Sequence, residues 1–269
     1  MALDFDIERM FREKNPRLAR RIPCAGYALL RRILREREVR HVLKRAGDRQ
    51  GYELVRFLLD AFGIRVRVEG VCPEKSARWT VCANHPTGGW DALALLAWAE
   101  RWHPDSQLLV NDVVYSVEPL RSLFCPVDVF ARSRKALEPL AQLYASDRTV
   151  LIFPAGRTSR PRKGELQEYA WDKLFVRKSR QHDRLILPVH ISGQNSNRFY
   201  RVWRWRERLG IKGTVEMFLL VDEMIRRRDE EIVLTIGQPR EPRALVAECG
   251  GDAQAAAVLR QHTQALGRA

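Results

Sequence analysis

Trp79-Thr80-Val81-Cys82-Ala83-Asn84-His85-Pro86-Thr87-Gly88-Gly89-Trp90-Asp91-Ala92-Leu93-Ala94-Leu95-Leu96-Ala97-Trp98-Ala99 is the stretch from which the fold is read. Its first five residues form a short apolar run ending at a turn, which predicts a buried strand. Pro86, Gly88 and Gly89 turn the chain, and Asp91 stands in the first turn of a predicted helix at about 89–102. His85 therefore lies at a strand end with a carboxylate a few residues on. That arrangement is a local route to an oriented general base: the carboxylate accepts one ring N–H and fixes the tautomer, and the other nitrogen is left to take a proton. A structural alternative stands beside it, in which His85 and Asp91 only cap a turn and a helix, since acids near a helix start are favoured by its dipole.

Two later segments share this grammar. Val150-Leu151-Ile152-Phe153-Pro154-Ala155-Gly156-Arg157-Thr158-Ser159-Arg160 is an apolar strand that stops at Pro154, turns at Gly156 and presents Arg157, Ser159 and Arg160. Leu185-Ile186-Leu187-Pro188-Val189-His190-Ile191 reads as a third strand emptying into Ser192-Gly193-Gln194-Asn195-Ser196. Three strand ends with polar, glycine-containing loops predict one crevice at the carboxyl edge of an α/β sheet, with cations and amides suited to an anion. Around them, residues 1–62 read as mainly helical, with breaks at Pro16 and Pro23 and a last helix over 45–63. Residues 63–70 alternate as a strand, 107–111 as another, and a helix-rich link leads to a strand at 127–129. Helices are expected near 134–146 and 167–181 and as one closing helix over 240–269; a further strand is expected at 232–236, and 216–223 leans to helix. The expected fold is α/β, a largely parallel sheet covered by helices, with a basic helical segment (1–62) packed on an α/β domain (63–269).

Asn84–Leu95, Ile152–Arg160 and Leu187–Tyr200, in that order, resemble the glycerolipid (1-acylglycerol-3-phosphate-type) acyltransferases. The likeness is greatest to a bacterial hemolysin-named branch that includes O-acyltransferases completing ornithine or glycine lipids, and it runs from about Leu3 to Pro242. The resemblance implies transfer of an acyl group from a thioester, on coenzyme A or an acyl carrier protein, to the hydroxyl of a lysolipid. It casts His85 as base and Asp91 as its orienting acid, with no metal and no cofactor beyond the acyl donor. By the same resemblance Asn84, Arg132, Gly156, Arg157, Ser159 and Arg160 contact the substrate, the acceptor's head group above all. Two departures are present. Five residues separate His85 from Asp91 where the broad family has four, a spacing the branch shares. Ala155 replaces a favoured glutamate, and Arg157 stands where the branch often has an acid, which leaves the head group open between lysophosphatidate, other lysophospholipids and lyso-amino-acid lipids.

Charge is the other strong signal. The 269 residues carry a formal +14, and residues 1–50 hold 14 Lys+Arg against 7 Asp+Glu. Arg12, Arg17, Arg20, Arg21, Arg31, Arg32 and Arg35 alternate there with Tyr27, Leu29, Leu30, Ile33 and Leu34, as in helices lying on an anionic membrane. Arg198-Phe199-Tyr200-Arg201-Val202-Trp203-Arg204-Trp205-Arg206 is a second such stretch, readable equally as the surface helix of a soluble domain. No run approaches the ~20 apolar residues of a membrane span, the start lacks a signal-peptide pattern, and the five cysteines lack paired spacing. The expected location is cytoplasmic, peripheral on the inner face of an anionic membrane, with an acidic acyl carrier protein as a further candidate partner. A non-catalytic lipid- or nucleic-acid-binding protein is the alternative; no zinc-finger or RNP-type motif supports nucleic acid. His190 reads as a core histidine, His103 as a helix-end residue, Asp128 and Asn195 as pocket or packing residues, and Lys163-Gly164 as too short for a nucleotide loop.

Overall fold

The computed structural model describes residues 6–14, 16–127, 137–162, 165–210 and 219–268. Helices come first: α1 (Ile7–Lys14), α2 (Pro16–Ala19), α3 (Cys24–Ile33), α4 (Glu36–Ala46) and α5 (Gly51–Ala61). Alternation then begins with β1 (Arg65–Gly70), β2 (Trp79–Ala83), α6 (Gly89–Trp102), β3 (Gln107–Val110), the short α7 (Asp112–Tyr115), a 3-10 turn over Glu118–Leu123 and β4 (Phe124–Pro126). After α8 (Glu138–Ala145) and β5 (Val150–Ile152), a hairpin of β6 (Arg160–Arg162) and β7 (Glu165–Gln167) leads to α9 (Leu174–Gln181) and β8 (Leu185–Ile191). The chain ends through α10 (Asn197–Arg208), α11 (Leu219–Arg226), β9 (Glu231–Ile236), α12 (Pro242–Cys249) and α13 (Asp252–Leu266).

Seven strands form one sheet in the order β1-β9-β8-β2-β5-β3-β4. Every pairing is parallel except β8 with β9, so the expected largely parallel sheet is found. All five residues of β2 are buried, as a central parallel strand covered on both faces requires. On one face α5 and α6 pack Leu54, Val55, Leu59, Leu95 and Leu96 into the main core, so the last helix of the basic segment belongs to it. The opposite face is covered by α9, α12 and α13 through Phe175, Val176, Leu245 and Leu259. Each fully buried leucine contributes about 1.5–3 kcal/mol, and the two sets clamp the central strands that carry the three loops.

Several boundaries differ from the sequence reading, each for a local reason. The helix expected over 45–63 is two, because Gly47 leaves α4 at φ 62° and α5 starts only at Gly51. The helix expected from 167 starts at Leu174, since 165–167 pairs with 160–162 as a small antiparallel hairpin. The single closing helix is split by Gly250-Gly251. The strand near 127 is seated earlier, at Phe124–Pro126, and residues 128–136, including Asp128 and Arg132, lie outside the described residues, as do Lys163-Gly164 and 211–218. Cys82 and Cys125 are buried strand thiols, whereas Cys24 and Cys72 are exposed.

One buried cation fastens the edge of the sheet opposite the loops. Arg184, fully buried just before β8, donates to the carbonyls of Leu143, Tyr144, Ser146, Arg148 and Trp79. Leu143 and Tyr144 are in the last turn of α8, where a guanidinium also meets the negative end of the helix dipole. Burial pulls its pKa down to about 10, leaving it charged at neutral pH.

Candidate active site

The strands bearing the three loops, β8, β2 and β5, are adjacent and parallel, so the loops leave the sheet side by side. After β2 the chain turns through Gly88, at φ 103°, a conformation open to glycine, and enters α6. Asp91 is fully buried in the first turn of that helix. Its Oδ2 accepts the backbone N–H groups of Thr87 at 2.7 Å and Gly88 at 2.8 Å, and its Oδ1 accepts the Thr87 hydroxyl. The same Oδ2 lies 3.0 Å from His85 Nδ1. Asp91 is thus both helix cap and histidine partner, and the two readings of the sequence describe one carboxylate. With Nδ1–H donated to Asp91, the lone pair is on Nε2, the nitrogen available to take a proton. The ring stacks on Phe153 at 4.2 Å between centroids and 16° between planes, which fixes its tilt.

A second carboxylate holds the backbone beneath the ring. Glu168 Oε1 accepts His85 N–H at 2.9 Å and the Ser159 hydroxyl at 2.5 Å, and its Oε2 accepts Trp171 Nε1–H at 2.9 Å. Ser159 N–H donates to the His85 carbonyl at 2.8 Å, so the β5 loop and the β2 turn are laced together on both sides of His85. Burial pushes the Glu168 carboxyl up, opposed by the hydrogen bonds from Ser159, His85 and Trp171. Glu168 was not legible as a site residue in the sequence. Its single local signal is the spacing Glu168-x-x-Trp171, which says nothing of His85.

The other expected site residues divide by role. Asn84 Nδ2 donates to Ile191 O at 2.9 Å and its Oδ1 accepts Ile191 N–H at 2.6 Å, clamping β2 to the end of β8. Arg160 is buried, donating to the Thr158 carbonyl at 2.8 Å and the Ser159 carbonyl at 3.1 Å. Its guanidinium also lies 4.7 Å from the Phe199 ring centroid. It organises the loop from beneath. Arg157 is the exposed cation there, 5.7 Å over the Tyr169 ring, next to Gly156, whose N–H closes the turn on Phe153 O at 2.9 Å. From the third loop, Asn195 Nδ2 reaches Pro86 O at 3.2 Å. His190 has its pKa lowered by burial, and Arg198 is engaged with Asp222 on α11. Arg132 lies outside the described residues.

A family model described as acyltransferase matches residues 9–267. A lyso-glycine lipid O-acyltransferase of Phocaeicola vulgatus is 31% identical over 238 residues, covering 87% of this chain and 85% of that protein. The protein of the same name from Bacteroides thetaiotaomicron is 30% identical over 239 residues, covering 87% of each. Among solved structures, the 1-acyl-sn-glycerophosphate acyltransferase PlsC of Thermotoga maritima superposes with a TM-score of 0.50 at 18% identity, over 96% of this chain and 86% of that one.

Proposed function

The chain belongs to the acyltransferase family, and we propose that it moves a fatty acyl group from a thioester to the hydroxyl of a lysolipid, with His85 as general base. The observation that carries the mechanism is the buried Asp91 carboxylate 3.0 Å from His85 Nδ1, which leaves Nε2 as the proton acceptor. The acceptor O–H gives its proton to Nε2, and its oxygen forms the new bond to the thioester carbonyl carbon. Collapse of that adduct breaks the C–S bond, and the imidazolium returns its proton to the departing thiolate. Asp91 stabilises the imidazolium throughout.

The names of the two curated relatives favour an amino-acid lipid as acceptor. Arg157 suits such a head group: exposed at the rim, it offers two parallel N–H donors to a carboxylate. Ala155 leaves the loop without the acid that would compete for that guanidinium. On this reading the reaction takes place on an anionic membrane surface. Leu29, Trp205 and Leu209 are more than half exposed; Arg201, Arg204 and Arg208 share the outer side of α10 with Trp205, and Leu209 follows as its C-terminal cap. Trp and Arg together suit a head-group layer. Among the described residues no helix is long and apolar enough to cross a membrane. In the basic N-terminal segment, Arg31 pairs with Glu8 at 2.8 Å and Arg35 with Asp222 at 2.6 Å, so part of its charge ties helices together.

The test is a matrix assay of purified protein with labelled acyl-coenzyme A or acyl-acyl carrier protein and a panel of lysolipids, beside His85→Ala and Arg157→Ala. Product with lyso-glycine lipid that is lost in His85→Ala, and an acceptor KM raised by Arg157→Ala, are the expected results. Substantial turnover by folded His85→Ala would refute the mechanism.

A further inference from the structure

The turn that carries His85 is backed by α11 and by the loop that α11 holds. The Pro86 carbonyl accepts Asn195 Nδ2–H at 3.2 Å, and a Cβ on Gly193 would lie 3.1 Å from Thr87 Cγ2, so the third loop covers these two residues. A Cβ on Gly88 would lie 3.3 Å from Leu220 Cδ2, and Met224 Sδ leaves no room for one on Gly89. Trp90 Nε1–H donates to the Met224 carbonyl at 3.1 Å. Residues 86–87 thus meet the third loop, and residues 88–90 meet α11 itself.

The third loop is in turn fastened to α11. Glu223 accepts the Ser196 N–H through Oε2 at 2.7 Å and the Ser196 hydroxyl through Oε1 at 2.6 Å. With its proton given to Glu223, that hydroxyl accepts Phe199 N–H at 3.3 Å and so starts α10. Asn195, one residue earlier, is held again by Tyr200, whose phenol oxygen accepts its N–H at 2.9 Å. One turn further along α11, Arg227 donates to the Gln194 carbonyl. Asp222 anchors the helix, accepting Arg35 at 2.6 Å, Arg226 at 2.8 Å and Arg198. Both acids are buried, Glu223 at 4% and Asp222 at 3% exposure. Burying two carboxylates side by side adds little stability over apolar packing of the same volume; what it fixes is the place of their partners.

We propose that Glu223 is a positioning residue for acyl transfer, acting on His85 through Ser196, Asn195 and Pro86. The inference rests on the acyl-transfer reading above. The hydrogen bonds of Glu223 go to Ser196, so it acts at one remove from the base. Asp91 holds the ring and Glu168 holds the His85 N–H; the path from Glu223 holds the chain just after the base. A base displaced by about 1 Å can cost on the order of 10²-fold in rate.

The test uses the full chain with Glu223→Met, which removes both acceptors and keeps the volume, Glu223→Gln, Asn195→Ala, and Glu223→Met combined with Asn195→Ala. Thermal melts establish which variants fold. In Glu223→Met, kcat with the lysolipid and thioester pair that wild type uses should fall about ten-fold or more, with both KM values within about two-fold. Glu223→Gln should recover to within about three-fold, because its carbonyl accepts Ser196 N–H and its amide donates to the hydroxyl. Asn195→Ala should reproduce the loss from the far end of the path, and the combined variant should lose no more than the larger single change. Hydrogen exchange read by mass spectrometry needs no turnover. The Thr87 and Gly88 amides, both bound to Asp91, should exchange about ten-fold faster in Glu223→Met while α5 is unchanged. A kcat within about two-fold of wild type in folded Glu223→Met overturns the proposal. So does a rise confined to one KM, a failure of Glu223→Gln to recover, or losses that multiply in the combined variant. Should Glu223→Met not fold, Ser196→Ala, which removes the hydroxyl half of the contact, takes its place on the same criteria. Wild type that acylates no lysolipid sinks the reading beneath the proposal, and exchange then decides alone: a rise limited to 85–91 keeps the bracing, and an absent or chain-wide rise ends it.

Discussion

Replacing Asp91 by Asn separates the two duties of that carboxylate. Two backbone N–H groups, of Thr87 and Gly88, and the ring Nδ1 all converge on Oδ2, whereas Oδ1 faces the freely rotating Thr87 hydroxyl. An asparagine must place its carbonyl oxygen at Oδ2, since the flipped amide would set its N–H₂ against two backbone donors. Helix cap and histidine tautomer then survive, and the negative charge is lost. A carboxylate and an imidazolium 3.0 Å apart attract by about 5 kcal/mol at an effective dielectric near 20. The imidazolium is only partly formed in the transition state and the amide dipole replaces part of the attraction, so about 3–4 kcal/mol of barrier is expected. That corresponds to a fall of roughly 10²–10³ in kcat/KM. The asparagine variant should melt within about 2 °C of wild type, because its cap is intact. The assay is steady-state acyl transfer with the preferred thioester and lysolipid, run beside thermal melts. A kcat/KM within about three-fold of wild type would show that the carboxylate is a cap and nothing more.

Three further outcomes follow from the same geometry. Glu168→Gln must turn an amide N–H toward either the Trp171 indole or the His85 and Ser159 donors, costing about 1–3 kcal/mol; Tm should fall several degrees and kcat with it, and an unchanged melt would mean the carboxylate is not buried among three donors. Arg184→Met strips the donor from five carbonyls at the edge away from the crevice; a loss of about 3 kcal/mol or more should appear in denaturant unfolding, with KM values at low temperature unmoved. Burial lowers the pKa of His103, of His182 (lowered also by its cationic neighbours) and of His190. The unfolded chain therefore binds more protons near pH 6.5, so stability is complete above that pH and lost as pH falls through the lower folded values. Urea melts across pH 5–8 should show the loss, and His190→Gln should flatten part of the slope.

What was legible in the sequence and what was not divide along sequence separation. β2, α6 and β8 were read within about a residue because each has one clean pattern bounded by its own turn. The β6–β7 hairpin was missed because three-residue strands carry no periodicity and Pro161 argues against a strand. His85 and Asp91 were readable together because they share one turn. Glu168 was not, for its contact with His85 spans 83 residues and is created by the return of the β5 loop to the β2 turn. Arg160 and Arg157 look equivalent in the string of letters, yet one is buried under the loop and the other stands at its rim. No local pattern states which side of a sheet edge an arginine takes.

The site therefore has a rigid half and an open half. Asp91 fixes the imidazole through its ring nitrogen, Glu168 fixes the same residue through its backbone, and Phe153 fixes the ring plane. Three independent constraints on one side chain are what the proposed base would need for its lone pair to meet a hydroxyl within a fraction of an ångström. None of the three lies at the rim. The rim carries Arg157 and Gly156, exposed and, among the described residues, bound to the scaffold by a turn hydrogen bond and a cation–ring contact. On the proposed mechanism, a change at the rim should alter which head group is held without disturbing the proton acceptor, because among the described residues no hydrogen bond of the His85–Asp91–Glu168 set passes through Arg157. Ala155 and Arg157 stand where the family resemblance leads one to expect acids, and the proposed base keeps its three supports. That combination argues for altered acceptor choice over lost catalysis.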